Sequence, residues 1–118
     1  MAFNVYVENE RGESIVSFGE GSSREVVTSL WEIERKTGIM PKYGGCHLEE
    51  IYRLNRDIAI PLLVENLEKL LLFLKGFLKY PEGHFDYQKC LFYQYEKDLR
   101  SLENFSNETF IFRVWDTS

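Results

Sequence analysis

The sequence predicts an α+β fold, in which a small three-stranded, mostly antiparallel sheet packs on three to four helices in the order β-β-α-α-α-α-β. Three observations predict it: apolar and polar residues alternate at both ends of the chain, apolar residues recur at helical spacing in the middle, and breaker residues separate these segments. A chain of 118 residues can bury one proper core, and no repeat or linker divides it. We therefore expect a single domain over residues 1–118.

The strands are predicted from alternation. Residues 3–8 and 14–18 alternate between apolar and polar side chains on either side of a polar turn that contains Gly12, which is typical of a hairpin. Residues 109–115 alternate in the same way. We expect this last strand to pair with the first one, and we expect helices to cover one face of the resulting sheet.

The first helix is predicted over residues 23–37. Ser22 and Glu25 have the spacing of a capping box, and Gly38 fits the position after the last helical turn. The apolar and charged residues between them separate onto two faces, which is typical of a helix that covers a core.

The longest helix is predicted over residues 60–80, with Pro61 in its first turn. Its apolar residues recur in alternating steps of four and three, and residues 70–74 (L-L-L-F-L) are apolar on all sides. We expect the middle of this helix to be covered from more than one direction.

Two further helices are predicted, over residues 47–56 and 84–103, with an irregular loop at 39–46 between the first helix and the short one. The assignment of 84–103 has an alternative, because the aromatic run at 90–93 also suits a strand.

Composition and charge limit the function. The formal net charge is −5, and no cluster of Lys and Arg occurs, which argues against binding to nucleic acid or to an anionic membrane surface. The 60–80 segment contains charged residues, among them Glu65, Glu68, Lys69 and Lys75, and the N-terminus lacks the pattern of a secretion signal. The sequence therefore predicts a cytoplasmic protein.

No residue pattern points to a metal, a cofactor or a catalytic group. Cys46, His47, His84 and Cys90 do not have the spacing of a structural zinc site, and we expect both cysteines to be free, buried thiols. One alternative stays open: the loop Tyr43–His47 places a cysteine and a histidine before a predicted helix, where a thiol can be activated.

Aromatic residues beside acidic ones are the strongest indication of a binding surface. Tyrosine anchors with carboxylate neighbours suit a partner that has a basic surface. The candidate partner-binding residues are Tyr6, Glu8, Tyr87, Tyr93, Glu96 and Asp98.

In its profile, a small, acidic, aromatic-rich α+β domain without a catalytic motif, the chain resembles bacterial immunity proteins that neutralise a cognate toxin. The resemblance implies a protein-interaction module or inhibitor, not an enzyme, which blocks a basic site on another protein. Two alternatives remain: a small enzyme or ligand-binding domain that uses the Tyr43–His47 loop, and a structural or homodimeric subunit built on an exposed strand edge. The sequence is compatible with a monomer or a homodimer.

Overall fold

The computed structural model describes residues 3–44, 49–76 and 86–116. In these residues the chain forms a five-stranded antiparallel sheet and three helices, in the order β-β-α-β-β-α-α-β. The elements are β1 (Phe3–Glu8), β2 (Ser14–Phe18), α1 (Glu20–Thr37), β3 (Lys42–Tyr43), β4 (Glu49–Asn55), α2 (Arg56–Gly76), α3 (Asp86–Glu103) and β5 (Thr109–Asp116).

The expectation of three strands and up to four helices is wrong, and the error lies in residues 39–56. Residues 49–55 form strand β4, where the sequence predicted a short helix, and part of the predicted loop forms β3. Tyr52 and Leu54 are buried on one face of β4 while Arg53 is exposed, so the segment has a period of two. Over so short a segment, four apolar residues fit the period of a helix as well as that of a strand. Pairing with β5 selects the strand.

The strand order is β2-β1-β5-β4-β3, and every neighbouring pair is antiparallel. The predicted pairing of the last strand with β1 is confirmed: Phe3 lies opposite Asp116, and Glu8 lies opposite Ile111. The other side of β5 pairs with the whole of β4. The C-terminal strand is therefore the middle strand of the sheet.

Helix α1 begins three residues earlier than predicted and ends at the predicted glycine. Gly38 has a φ of 74°, and its N–H donates to the carbonyl of Glu34. The capping box is wrong, because the N-cap is Gly19 and makes no side-chain cap. Ser23 instead joins this end of α1 to the sheet: its hydroxyl accepts from the N–H of Val5 and donates to the carbonyl of Phe18.

Helix α2 begins at Arg56, so Pro61 lies in its second turn and not in its first. The predicted residues 77–80 of this helix lie outside the described residues. Helix α3 confirms the helical interpretation of residues 86–103, and the alternative strand at 90–93 is wrong. The first two residues of the predicted segment, 84 and 85, also lie outside the described residues.

All three helices pack on one face of the sheet. The side chains that point to this face are almost fully buried, including Val5, Val7, Phe110 and Phe112. The middle of α2 is less covered than predicted, because Leu72 is 67% exposed although Leu70 is buried. Within the described part of the chain, no helix is both long and apolar enough to cross a membrane.

Candidate interaction surface

The sheet has an open face, which the described helices do not cover. Alternate residues of a strand point to opposite faces, so Val5 and Val7 contact the helices while Tyr6 and Glu8 point away from them. The same alternation places Arg113 and Trp115 of β5 on the open face, and Glu49 and Ile51 of β4 with them. This surface, which we call the open face, is the candidate site.

A depression of about 570 Å³ lies on the open face, mainly over β1 and β5. Its walls include two aromatic rings, those of Tyr6 and Trp115, each 39% exposed. The lining residues are Asn4, Tyr6, Glu8, Ser14, Arg113 and Trp115. Neighbouring strands put these side chains together, because Asn4 lies opposite Trp115 and Tyr6 lies opposite Arg113.

Arg113 holds two carboxylates at the centre of the open face. Its Nη1 donates a hydrogen bond of 2.5 Å to Oε1 of Glu49, and its Nε lies 3.0 Å from Oε1 of Glu8. The Nε contact is an ion pair whose N–H is not aligned for a hydrogen bond. Contact with Glu8, and then with Glu49, raises the pKa of Arg113. The guanidinium therefore stays charged and fixes both carboxylates in place.

Glu49 is the most deeply placed member of this cluster, since the residue is only 7% exposed. The backbone of Gly44 lies against it: a Cβ added at Gly44 would come 2.9 Å from Cδ of Glu49. The N–H of Gly44 also donates to the carbonyl oxygen of Glu49. The glycine thus allows the end of β3 to cover the Glu49 side chain.

The structure divides the predicted partner-binding residues between two sides of the molecule. Tyr6 and Glu8 lie on the open face, whereas Tyr93 and Glu96 lie on α3, which packs on the opposite face of the sheet. Tyr93 is 64% exposed. The Tyr87 side chain lies outside the described part of the structure.

Asp98 of α3 has a structural role. It is 8% exposed, and its Oδ2 accepts hydrogen bonds from the N–H of Gly19 and the hydroxyl of Ser22. The side-chain amide of Gln94, one turn earlier on α3, also donates to it. The carboxylate therefore joins the start of α1 to α3, and its negative charge interacts favourably with the positive end of the α1 helix dipole.

Sequence reasoning missed Arg113 and Glu49 as site residues. Arg113 had one visible signal, a charged residue in the middle of an aromatic strand (F-I-F-R-V-W), which is unusual unless the charge is paired. Glu49 had no such signal, because its segment was interpreted as a helix, and only the pairing of β4 with β5 brings it to Arg113.

A second group of polar side chains lies between β4 and α1. The hydroxyl of Tyr52 contacts Glu34 of α1, and it lies 2.9 Å from Oε2 of Glu50. Burial, and then the two carboxylates, raise the pKa of Tyr52 well above its usual range. The phenol therefore keeps its proton and joins the sheet to the helix.

Both edges of the sheet are poorly suited to pairing with another strand. The β1–β2 ladder shifts register between Val7 and Glu8, so β2 carries a bulge, and at the other edge β3 has only two residues. Bulges and very short edge strands are devices that block pairing between sheets. The edges thus give little support to a subunit assembled through an exposed strand.

The alternative site in the loop Tyr43–His47 lies partly outside the described residues, which do not include Cys46 and His47. His84 also lies outside them, and Cys90 is exposed on α3, where a buried thiol was expected. In residues 3–44, 49–76 and 86–116, no three His, Cys, Asp or Glu side chains form a group that could hold a metal ion.

Comparison with protein-family models, with curated protein sequences and with solved structures finds no match for this chain. The geometry of the open face therefore carries the functional argument. It offers two aromatic rings and a fixed cluster of charges on a rigid sheet. Such a surface can bind another molecule without moving its own backbone.

Proposed function

We propose that this protein is an interaction module that binds another protein through the open face of its sheet. One observation carries the proposal: the half-exposed rings of Tyr6 and Trp115 lie beside a charge cluster that Arg113 fixes in place. Aromatic residues and arginine are enriched at the energetically important centre of protein interfaces.

The biological role that we propose is that of an immunity protein or inhibitor, which acts in the cytoplasm and neutralises a cognate toxin. The net charge of −5 supports this role, because an acidic protein associates faster with a basic target. The rigid, preformed surface supports it as well, since inhibitors of this kind gain affinity by losing little freedom on binding.

The open face is a better interface than α3 for a partner of ordinary size. Tyr6 and Tyr93 lie on opposite sides of the sheet, so one compact partner cannot cover both residues. Asp98 is occupied by the start of α1. We therefore assign the interface to Tyr6, Glu8 and their neighbours on β5.

The test is co-expression of the chain with the product of its neighbouring reading frame, followed by co-purification. We expect a complex whose association rate falls as salt rises. The double variant Tyr6→Ala/Trp115→Ala should weaken the complex about a thousandfold, because aromatic anchors at an interface centre contribute about 2 kcal/mol each.

Tyr93→Ala is the matched control, since it removes an exposed aromatic ring from the helical side. It should leave the affinity unchanged. Loss of the complex with Tyr93→Ala, together with retention by the double variant, would place the interface on α3 and contradict the proposal. Circular dichroism of each variant shows whether the fold is kept.

A further inference from the structure

We infer that the depression between Tyr6 and Trp115 receives a basic side chain, an arginine or a lysine, from the partner protein. This inference rests on the proposed function and names the chemistry of the partner at that site. Its basis is the charge and the aromatic character of the lining.

The charge cluster keeps an excess of negative charge. Two carboxylates, those of Glu8 and Glu49, share one guanidinium, so one formal negative charge remains. Arg113 contacts Oε1 of each carboxylate. A carboxylate has about four lone-pair sites, so Glu8, whose side chain is 19% exposed, has acceptor capacity beyond this one contact.

Other charges on the open face do not cancel this excess at the depression. Arg53 is exposed but forms an ion pair with Glu10. Lys42 lies on β3, three strands from Glu8 in the sheet order, which is roughly 14 Å at the usual strand spacing. At that separation, exposed charges are largely screened at physiological salt.

The aromatic walls favour the same occupant. A guanidinium or ammonium group is attracted to the face of a tyrosine or tryptophan ring, and a carboxylate within reach adds a charge-assisted hydrogen bond. Tyr6 and Trp115 provide the rings, and Glu8 provides the carboxylate in the same lining. An acidic side chain would instead meet Glu8, while the positive charge of Arg113 is already neutralised.

A second copy of this chain fits the open face less well. β5 is the middle strand, so a symmetric face-to-face pair centred on it would bring two clusters of like charge together. Each chain also carries a net charge of −5. A basic partner is the complementary occupant.

The test uses N-acetyl-arginine amide as the probe and N-acetyl-citrulline amide as its neutral, nearly isosteric control. Each is titrated into the ¹⁵N-labelled full chain, and amide and indole shifts are followed by NMR. We expect saturable shifts at Tyr6 and Trp115 with arginine, and about tenfold weaker binding of citrulline, as the loss of a cation–π contact and a charged hydrogen bond predicts.

Glu8→Gln should weaken arginine binding about fivefold, because the amide keeps the shape but loses the charge. Glu68→Gln is the matched control: it removes one charge from an exposed position on α2 and should leave binding unchanged. Thermal unfolding of Glu8→Gln checks that the variant folds. If it does not fold, Trp115→Leu takes its place and should weaken arginine binding, as measured from the amide shift of Tyr6.

Three results would overturn the inference: equal binding of both probes, no saturable shift at the depression, or shifts that depend on protein concentration without any probe, which would indicate a second copy. The inference and the proposed function fail separately. Should Tyr6→Ala/Trp115→Ala lose the partner while arginine and citrulline bind alike, the interaction role stands and the basic side chain is wrong. If arginine binds to the wild type as expected but the Tyr6→Ala/Trp115→Ala variant still binds the partner protein, the depression binds a basic group and the proposed interface is wrong.

Discussion

The substitution Arg113→Met tests whether the charge cluster organises the open face. Methionine keeps most of the stem of the side chain but removes the guanidinium, so Glu49 loses its 2.5 Å hydrogen bond. Because the Glu49 side chain is only 9% exposed, water reaches its carboxylate poorly once the arginine is gone.

The expected cost is about 2 kcal/mol in the free energy of unfolding. Removing one partner of a fully buried ion pair costs about 3–5 kcal/mol. The Arg113 side chain is 36% exposed, so water can enter from its side, and we reduce the figure accordingly. For a domain of this size, that loss lowers the melting temperature by roughly 8 °C.

The assay is urea unfolding followed by far-ultraviolet circular dichroism, with Glu49→Gln and Glu8→Gln measured beside it. In each amide variant the free energy of unfolding should fall by less than about 1 kcal/mol, because Arg113 keeps one carboxylate and the amide oxygen still accepts a hydrogen bond. The double variant Arg113→Met/Glu49→Gln should be more stable than Arg113→Met alone. If Arg113→Met were as stable as the wild type, or lost less free energy of unfolding than Glu49→Gln, Arg113 would not be the residue that stabilises these carboxylates.

Two further predictions concern the helical side. Asp98→Ala should lower the free energy of unfolding by about 2 kcal/mol, because the N–H of Gly19 and the hydroxyl of Ser22 lose a charged acceptor. Chemical denaturation of the variant measures this loss. An unchanged denaturation midpoint would show that water replaces the carboxylate. Tyr95→Phe should lower the free energy of unfolding by about 1 kcal/mol at neutral pH, since the hydroxyl of Tyr95 donates a hydrogen bond to the carbonyl of Leu63. Burial raises the pKa of Tyr95, so the folded state keeps this proton above pH 10 while the unfolded chain releases it. The wild type should therefore lose stability as pH rises above 10, and the variant should lose it less steeply; parallel pH profiles would contradict this assignment.

The open face shows why a binding surface is hard to find in a sequence. Tyr6 and Glu8 were visible from alternation in β1, because a half-buried strand must present every second side chain away from the core. Their neighbours on the surface are Arg113 and Trp115, more than a hundred residues later in the chain. Only the pairing of β1 with β5 makes these residues one surface.

Asp98 illustrates the opposite case. A carboxylate on an amphipathic helix usually belongs to the solvated face, and no feature of the sequence indicates that the start of α1 lies against Asp98. Packing of α1 and α3 on the same sheet face placed the N–H of Gly19 next to the carboxylate. Which helix neighbours which is a property of the assembled layers.

The sequence by itself determined the elements with long, regular patterns. The boundaries of β1 and β2, the glycine that ends α1, the helical nature of α3 and the pairing of β5 with β1 all followed from periodicity and breaker residues. These features depend on local alternation, on backbone conformation and on the need of each strand for a partner.

The tertiary structure decided residues 39–56 and, with them, the size of the sheet. The short apolar pattern before α2 fits a helix or a strand equally well, and the free edge of β5 selected the strand by offering it a hydrogen-bonding partner. That choice moved the last strand to the middle of the sheet and brought Glu49 to Arg113. Local sequence cannot specify such contacts, because they arise between segments that meet only when the chain is folded.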